Sequence, residues 1–238
     1  MSEDRERKPD GNIAGSGKLP GGVYGNVKIA GAGSVDGDLE ADEIEISGSG
    51  NLNGKIKAEK LSSAGSCRIR GDVEVGLIKS SGAFKADGNV VARSVEAAGA
   101  YAVGGSLRSE EIKIAGSFRV ENDVEAERFV VHGGFRVSGV IKAGQVEIKL
   151  DGRSNAREIQ GSRIIVKSSR SFFFWLRKGK RLDVELIEGD DISLEATNAQ
   201  IIRGKRVIVG DRCRIDTVEY SESLVVSPKA TVQNQVKT

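Results

Sequence analysis

The chain has 238 residues, 38% of them apolar and 29% charged, enough to bury one or two continuous cores and too apolar for a disordered chain. Thirty-six basic residues stand against 34 acidic ones, a formal charge of +2, which excludes a global field drawing the molecule to nucleic acid or an anionic membrane; any such attraction is local. Aromatic residues make up only 5% while 31 residues are Gly, so the core is expected to be aliphatic and the backbone to turn often.

In chain order, residues 1–20 read as a disordered polar tail. Met1 is followed by the charged run Ser2 to Pro9 with no apolar stretch behind it, which predicts no secretory signal and a cytoplasmic protein. No apolar run along the chain is long enough for an ordinary membrane-spanning helix.

Residues 21–150 carry a strict repeat. Gly37, Gly54, Gly71, Gly88, Gly105 and Gly139 are spaced by multiples of 17, with Asn122 in the remaining slot, and Asn is the usual stand-in for Gly at positive φ. A second ladder at the same period holds Gly31, Gly48, Gly65, Gly82, Gly99, Gly116 and Gly133. Between these turns run apolar ladders: Leu39, Ile56, Val73, Val90, Leu107, Val124 and Ile141; then Ile44, Leu61, Ile78, Val95, Ile112, Phe129 and Val146; then Cys67, Phe84, Tyr101, Phe118 and Phe135. Each ladder has a partner two positions on, which is strand spacing. Three short strands per repeat, each pointing two side chains inward, describe one rung of an all-β, three-sided parallel β-helix with 17-residue rungs. Outward residues fit the same register, since Glu40, Lys57, Glu74, Val91, Arg108, Glu125 and Lys142 mostly change sign between rungs.

Residues 151–232 lose the strict period but keep its style. Ile159-Gln-Gly-Ser-Arg-Ile164, Ile187-Glu-Gly-Asp-Asp-Ile192 and Ile202-Arg-Gly-Lys-Arg-Val207 share one form, which predicts looser rungs continuing the coil, with 233–238 as a C-terminal tail. An insertion at 168–181 interrupts them. There Phe172, Phe173, Phe174, Trp175, Leu176, Arg177, Lys178, Lys180 and Arg181 put three of the seven Phe and the only Trp beside a basic run with no acid. Aromatic rings at the headgroup boundary, with cationic heads on lipid phosphates, suit a membrane interface. A protein partner and packing across a seam between the regular and irregular halves are the alternatives. A platform for single-stranded nucleic acid would spread its rings along a groove, so no nucleic-acid partner is expected.

Residues that could carry chemistry are sparse. His132, beside a turn, has no second His or Cys at ligand spacing, and no nucleophile comes with a base, so no cofactor, metal or catalytic residue is expected. The acid pairs Asp36/Asp38 and Asp190/Asp191 read as turn residues. Cys67 and Cys213 read as small core hydrophobes.

The run from Val35 to Ala58, with Gly37-Asp-Leu39-Glu-Ala41 and Gly54-Lys-Ile56-Lys-Ala58 at 17-residue pitch, resembles the bactofilins, polymer-forming bacterial cytoskeletal proteins. The second half, with Arg203 to Gly210 and Val218 to Leu224, looks like the longer branch found in Gram-positive bacteria. The resemblance implies a right-handed coil that polymerises end to end without nucleotide and often lies on the inner membrane. The expectation is therefore a homopolymer joined through terminal rungs, with Val23, Val27 and Ile29 at one end and Leu224, Val226 and Val232 at the other. It would be peripheral at the inner face of the membrane through the 172–181 segment and would organise envelope or motility proteins. The runner-up is a non-polymerising solenoid that binds a protein through the same loop.

Overall fold

The computed structural model describes residues 8–168 and 179–238. All eleven strands pair in parallel where partners are assigned, and no helix occurs among the described residues. The chain forms two compact units, Met1–Gly105 and Ser106–Thr238, and each is a parallel β-solenoid.

The first unit contains β1 (Gly11–Asn53), β2 (Ile56–Ile69), β3 (Val73–Ala86) and β4 (Val90–Val103), paired in chain order. Register is 17 throughout: Leu39 faces Ile56, which faces Val73, which faces Val90. On β2, Ile56, Ala58, Leu61, Ser63, Cys67 and Ile69 are buried, three inward pairs at two-residue spacing with exposed corners between them. Stacked in this way, like side chains form columns that exclude water, and each rung hydrogen-bonds to the rungs on either side. Phe84 and Tyr101 occupy one such column, their rings stacked with centroids 4.6 Å apart.

Gly31, Gly48, Gly65, Gly82 and Gly99 all adopt positive φ, between 115° and 121°, at the corner expected for them. A Cβ at Gly82 would run into the carbonyl of Gly65 one rung below, so both backbone angle and spacing require glycine there. The other ladder differs from expectation. Apart from Gly37 its members are not at positive φ, and Asn122 is not either. Close approach selects glycine at the glycine positions of that ladder, since a Cβ at Gly54 would strike the backbone of Gly37, whereas Asn122 carries a Cβ and has no left-handed angle to satisfy.

The coil begins earlier than the expected tail of 1–20 allows. β1 starts at Gly11, Ile13 is buried, and the N–H of Gly25 donates to the carbonyl of Pro9 at 2.9 Å. Gly31 approaches Gly15, and Gly33 approaches Ile13, so this extra rung sits 16 residues from the next rather than 17.

The second unit contains β5 (Leu107–Val120), β6 (Val124–Leu150), β7 (Arg153–Ser168), β8 (Arg181–Leu194), β9 (Thr197–Val209), β10 (Arg214–Val226) and β11 (Thr231–Lys237). β5 and β6 keep the 17-residue register, which then shifts between Val137 and Val140. Beyond it the shared form of the three segments becomes literal stacking: Ile159, Ile187 and Ile202 align, as do Gly161, Gly189 and Gly204, and Ile164, Ile192 and Val207. The stretch expected as a tail at 233–238 lies mostly in β11, paired with β10 from Thr231 to Lys237.

Candidate functional site

At the corners, carboxylates tie successive rungs together. Asp38 accepts the backbone N–H of Lys55, Asp72 that of Asn89 and Asp123 that of Val140, each at 2.8 Å. A corner cannot close its own backbone bonds, and a short acidic side chain supplies the missing acceptor. The pair Asp36/Asp38 is thereby occupied structurally, since Asp36 accepts from the Asn53 amide at 2.6 Å. Asp190 pairs with Lys205 at 2.9 Å, and Asp191 takes a two-point contact from Arg206, which also reaches Glu222. That single guanidinium links β8, β9 and β10.

These contacts hold several carboxyls below their ordinary value of 3.8: the Asn53 amide acts on Asp36, Lys85 on Asp87, Arg206 on Asp191, and the Ser227 hydroxyl followed by Lys229 on Asp211. A depressed folded value means that the unfolded chain binds more protons in acid, so the stabilisation is complete above the ordinary value and is lost as pH falls through the depressed ones. Urea midpoints are expected to stay level from neutrality to about pH 5 and to drop below it; a midpoint that rises in acid contradicts this assignment.

His132 is exposed, and among the described residues no cluster of His, Cys, Asp and Glu is arranged to hold a metal. Both cysteines are buried, and burial pushes the Cys67 thiol up to about 12.

Of the residues expected to bind a membrane or partner, Phe172, Phe173, Phe174, Trp175, Leu176, Arg177 and Lys178 lie outside the described residues. The chain leaves β7 at Ser168 and is next described at Gly179. The Lys180 ammonium lies 2.7 Å from Asp151 and its side chain is 8% exposed, while Arg181 Nε lies 2.8 Å from Asp183. These two expected surface cations are thus tied to the coil's own carboxylates. No helix among the described residues is long and apolar enough to cross a membrane.

The expected polymer contacts separate into two kinds. Val27 and Ile29 are 1% and 0% exposed, buried because the rung from Gly11 lies over them, so they are core residues and not an end surface. Val23 is 51% exposed, and Leu224, Val226 and Val232 are half-buried.

Comparison with known proteins bears on the same coil. Residues 7–91 match the family model described as "Bactofilin: Polymer-forming cytoskeletal". Two Bacillus subtilis proteins, both described as uncharacterized, are similar to the chain: YhbF, 37% identical over 100 residues, and YhbE, 42% identical over 102. Each alignment covers 42% of this chain and 42% and 43% of the respective relative, so the match spans less than half of either partner's length. No solved structure matches the chain. The residues matched by the family model coincide with β1, β2, β3 and the start of β4.

Proposed function

We propose that the protein is a self-assembling scaffold and not an enzyme. Its coils join end to end into filaments without nucleotide, and the filaments are held at the inner face of the cell membrane through Phe172 to Arg181, where they organise envelope or motility proteins. The observation that carries this reading is the coincidence of a polymer-forming family match over residues 7–91 with a stack of parallel rungs over the same residues. Parallel stacking leaves backbone donors and acceptors directed along the coil, and a further copy extends the same bonding. Val23 at one end and Leu224, Val226 and Val232 at the other supply apolar surface for that contact.

The test is negative-stain microscopy and sedimentation of the full chain in nucleotide-free buffer, with and without vesicles. Thin unbranched filaments are expected, and F173E/W175E is expected to weaken their binding to vesicles while leaving assembly intact. A monomer at every concentration overturns the scaffold, and unchanged vesicle binding by the double variant removes the loop from the mechanism.

A further inference from the structure

On the second unit, Gly179 to Arg181 and the corners that follow β8, β9 and β10 border one groove. It has a volume of about 550 Å³, and its lining includes Arg153, Lys180, Arg181, Arg212, Arg214 and Lys229. The carboxylates paired with these cations are Asp151 with Lys180, Asp183 shared by Arg153 and Arg181, and Asp211 with Lys229. Six cations therefore face three carboxylates. Arg212 and Arg214 are exposed and form no ion pair among the described residues.

Backbone geometry holds this charge in place. Arg212 is one of two non-glycine residues at positive φ among the described residues, at 63°, and the other, Ala196 at 49°, lines the same groove. Left-handed corners are costly for side-chain-bearing residues, and rung-to-rung hydrogen bonds fix both: Ala196 N–H donates to Asp211 at 2.9 Å and Arg212 N–H to Lys229 at 3.2 Å.

A second groove adjoins the first through Arg153 and is lined by Arg119 and Arg136, which face each other across β5 and β6. Neighbouring rungs elsewhere place opposite charges together, as in Lys60 with Glu43 and Arg108 with Glu125, or give stacked cations a shared carboxylate, as Asp87 serves Arg68 and Lys85. Here like charges stand one rung apart, an arrangement that costs stability unless an external anion offsets it. The track from β5 to β10 crosses five rung spacings, about 24 Å.

We propose that this track is a docking site for anionic lipid headgroups, engaging their phosphates through Arg212, Arg214 and the neighbouring Arg119 and Arg136, which form no ion pair among the described residues. Guanidinium groups match phosphate oxygens in two-point geometry, and a row of them suits a charged surface. Among the described residues the rings lining either groove are Phe118 and Phe135, and both are buried, so neither offers a face for stacking nucleic-acid bases. The inference rests on the membrane reading above but assigns phosphate binding to Arg119, Arg136, Arg212 and Arg214, outside the 172–181 segment, and to electrostatic attraction.

The experiment measures co-sedimentation of the full chain with vesicles of phosphatidylcholine alone and of phosphatidylcholine mixed with phosphatidylglycerol, across a salt series. The wild type should prefer the anionic vesicles about tenfold or more, with the preference disappearing at high salt. R212E/R214E should lose that preference while retaining filament assembly and any binding to neutral vesicles. F173E/W175E should weaken binding to both vesicle types while keeping their ratio. An unchanged preference in R212E/R214E overturns the proposal, whereas unchanged binding by F173E/W175E overturns only the loop reading. If R212E/R214E fails to fold, R214Q and the wild-type salt series decide, since a salt-insensitive preference overturns the track. Soluble glycerol phosphate that saturates the groove without any vesicle binding points to a free phosphate ester and overturns the lipid assignment. Retention of a single-stranded oligonucleotide at a salt concentration that releases vesicles overturns it in favour of a polyanion.

Discussion

Replacing Gly82 with Ala should destabilise the first unit by about 3 kcal/mol or more. Two costs combine. The residue holds φ at 121°, where an L side chain costs about 1–2 kcal/mol on its own. The added methyl would also drive into the Gly65 carbonyl, which is fixed by its own rung and cannot yield without disturbing the register. Gly15 separates the two costs, because its φ is 85° but a Cβ there meets nothing within 4 Å. Urea denaturation of G15A and G82A should give a small loss for the first and a loss at least twice as large for the second. Equal losses would assign the whole effect to backbone angle and remove close stacking from the account.

The second large effect is expected at Phe84. Its ring is fully buried and lies flat on Tyr101, so F84A removes both a large apolar side chain and the stacked contact of its neighbour. Large-to-small changes of this kind cost about 3–5 kcal/mol. Rungs in a solenoid depend on their nearest neighbours, so the damage should be concentrated in β2, β3 and β4. Hydrogen exchange should show protection lost in those strands before it is lost in β8 and β9. Uniform loss along the chain would mean that the two units unfold as one cooperative body.

Much of the coil was legible because stacking demands repetition. Leu39, Ile56, Val73 and Val90 sit in one column because each rung sees the same surroundings, and the same constraint writes the Ile–x–Gly form shared by Ile159, Ile187 and Ile202. What was hidden broke the period or came from tertiary placement. Ile13 lies 16 residues from Ile29 among Gly and Ser, so its rung looked like a polar tail and Val27 and Ile29 looked terminal. Asn122 was read for backbone angle, but it is not at positive φ, and it carries a Cβ where Gly54 could not. The basic track was invisible because its members come from corners and sides with different registers. Arg153, Arg181, Arg212 and Lys229 share no fixed spacing, and only the groove brings them together.

The excursion between Ser168 and Gly179 leaves the pairing of β7 with β8 intact, from Arg153 opposite Arg181 through Val166 opposite Leu194. Corner length is therefore nearly a free parameter of this architecture. Lengthening a corner costs only the slowly growing entropy of closing a longer loop, whereas one extra residue in a side would turn every following side chain from core to solvent. A peptide tag or a small folded module grafted at that corner should be carried without altering the coil, and a series of such grafts on successive corners would display cargo at the spacing of single rungs, about 4.8 Å.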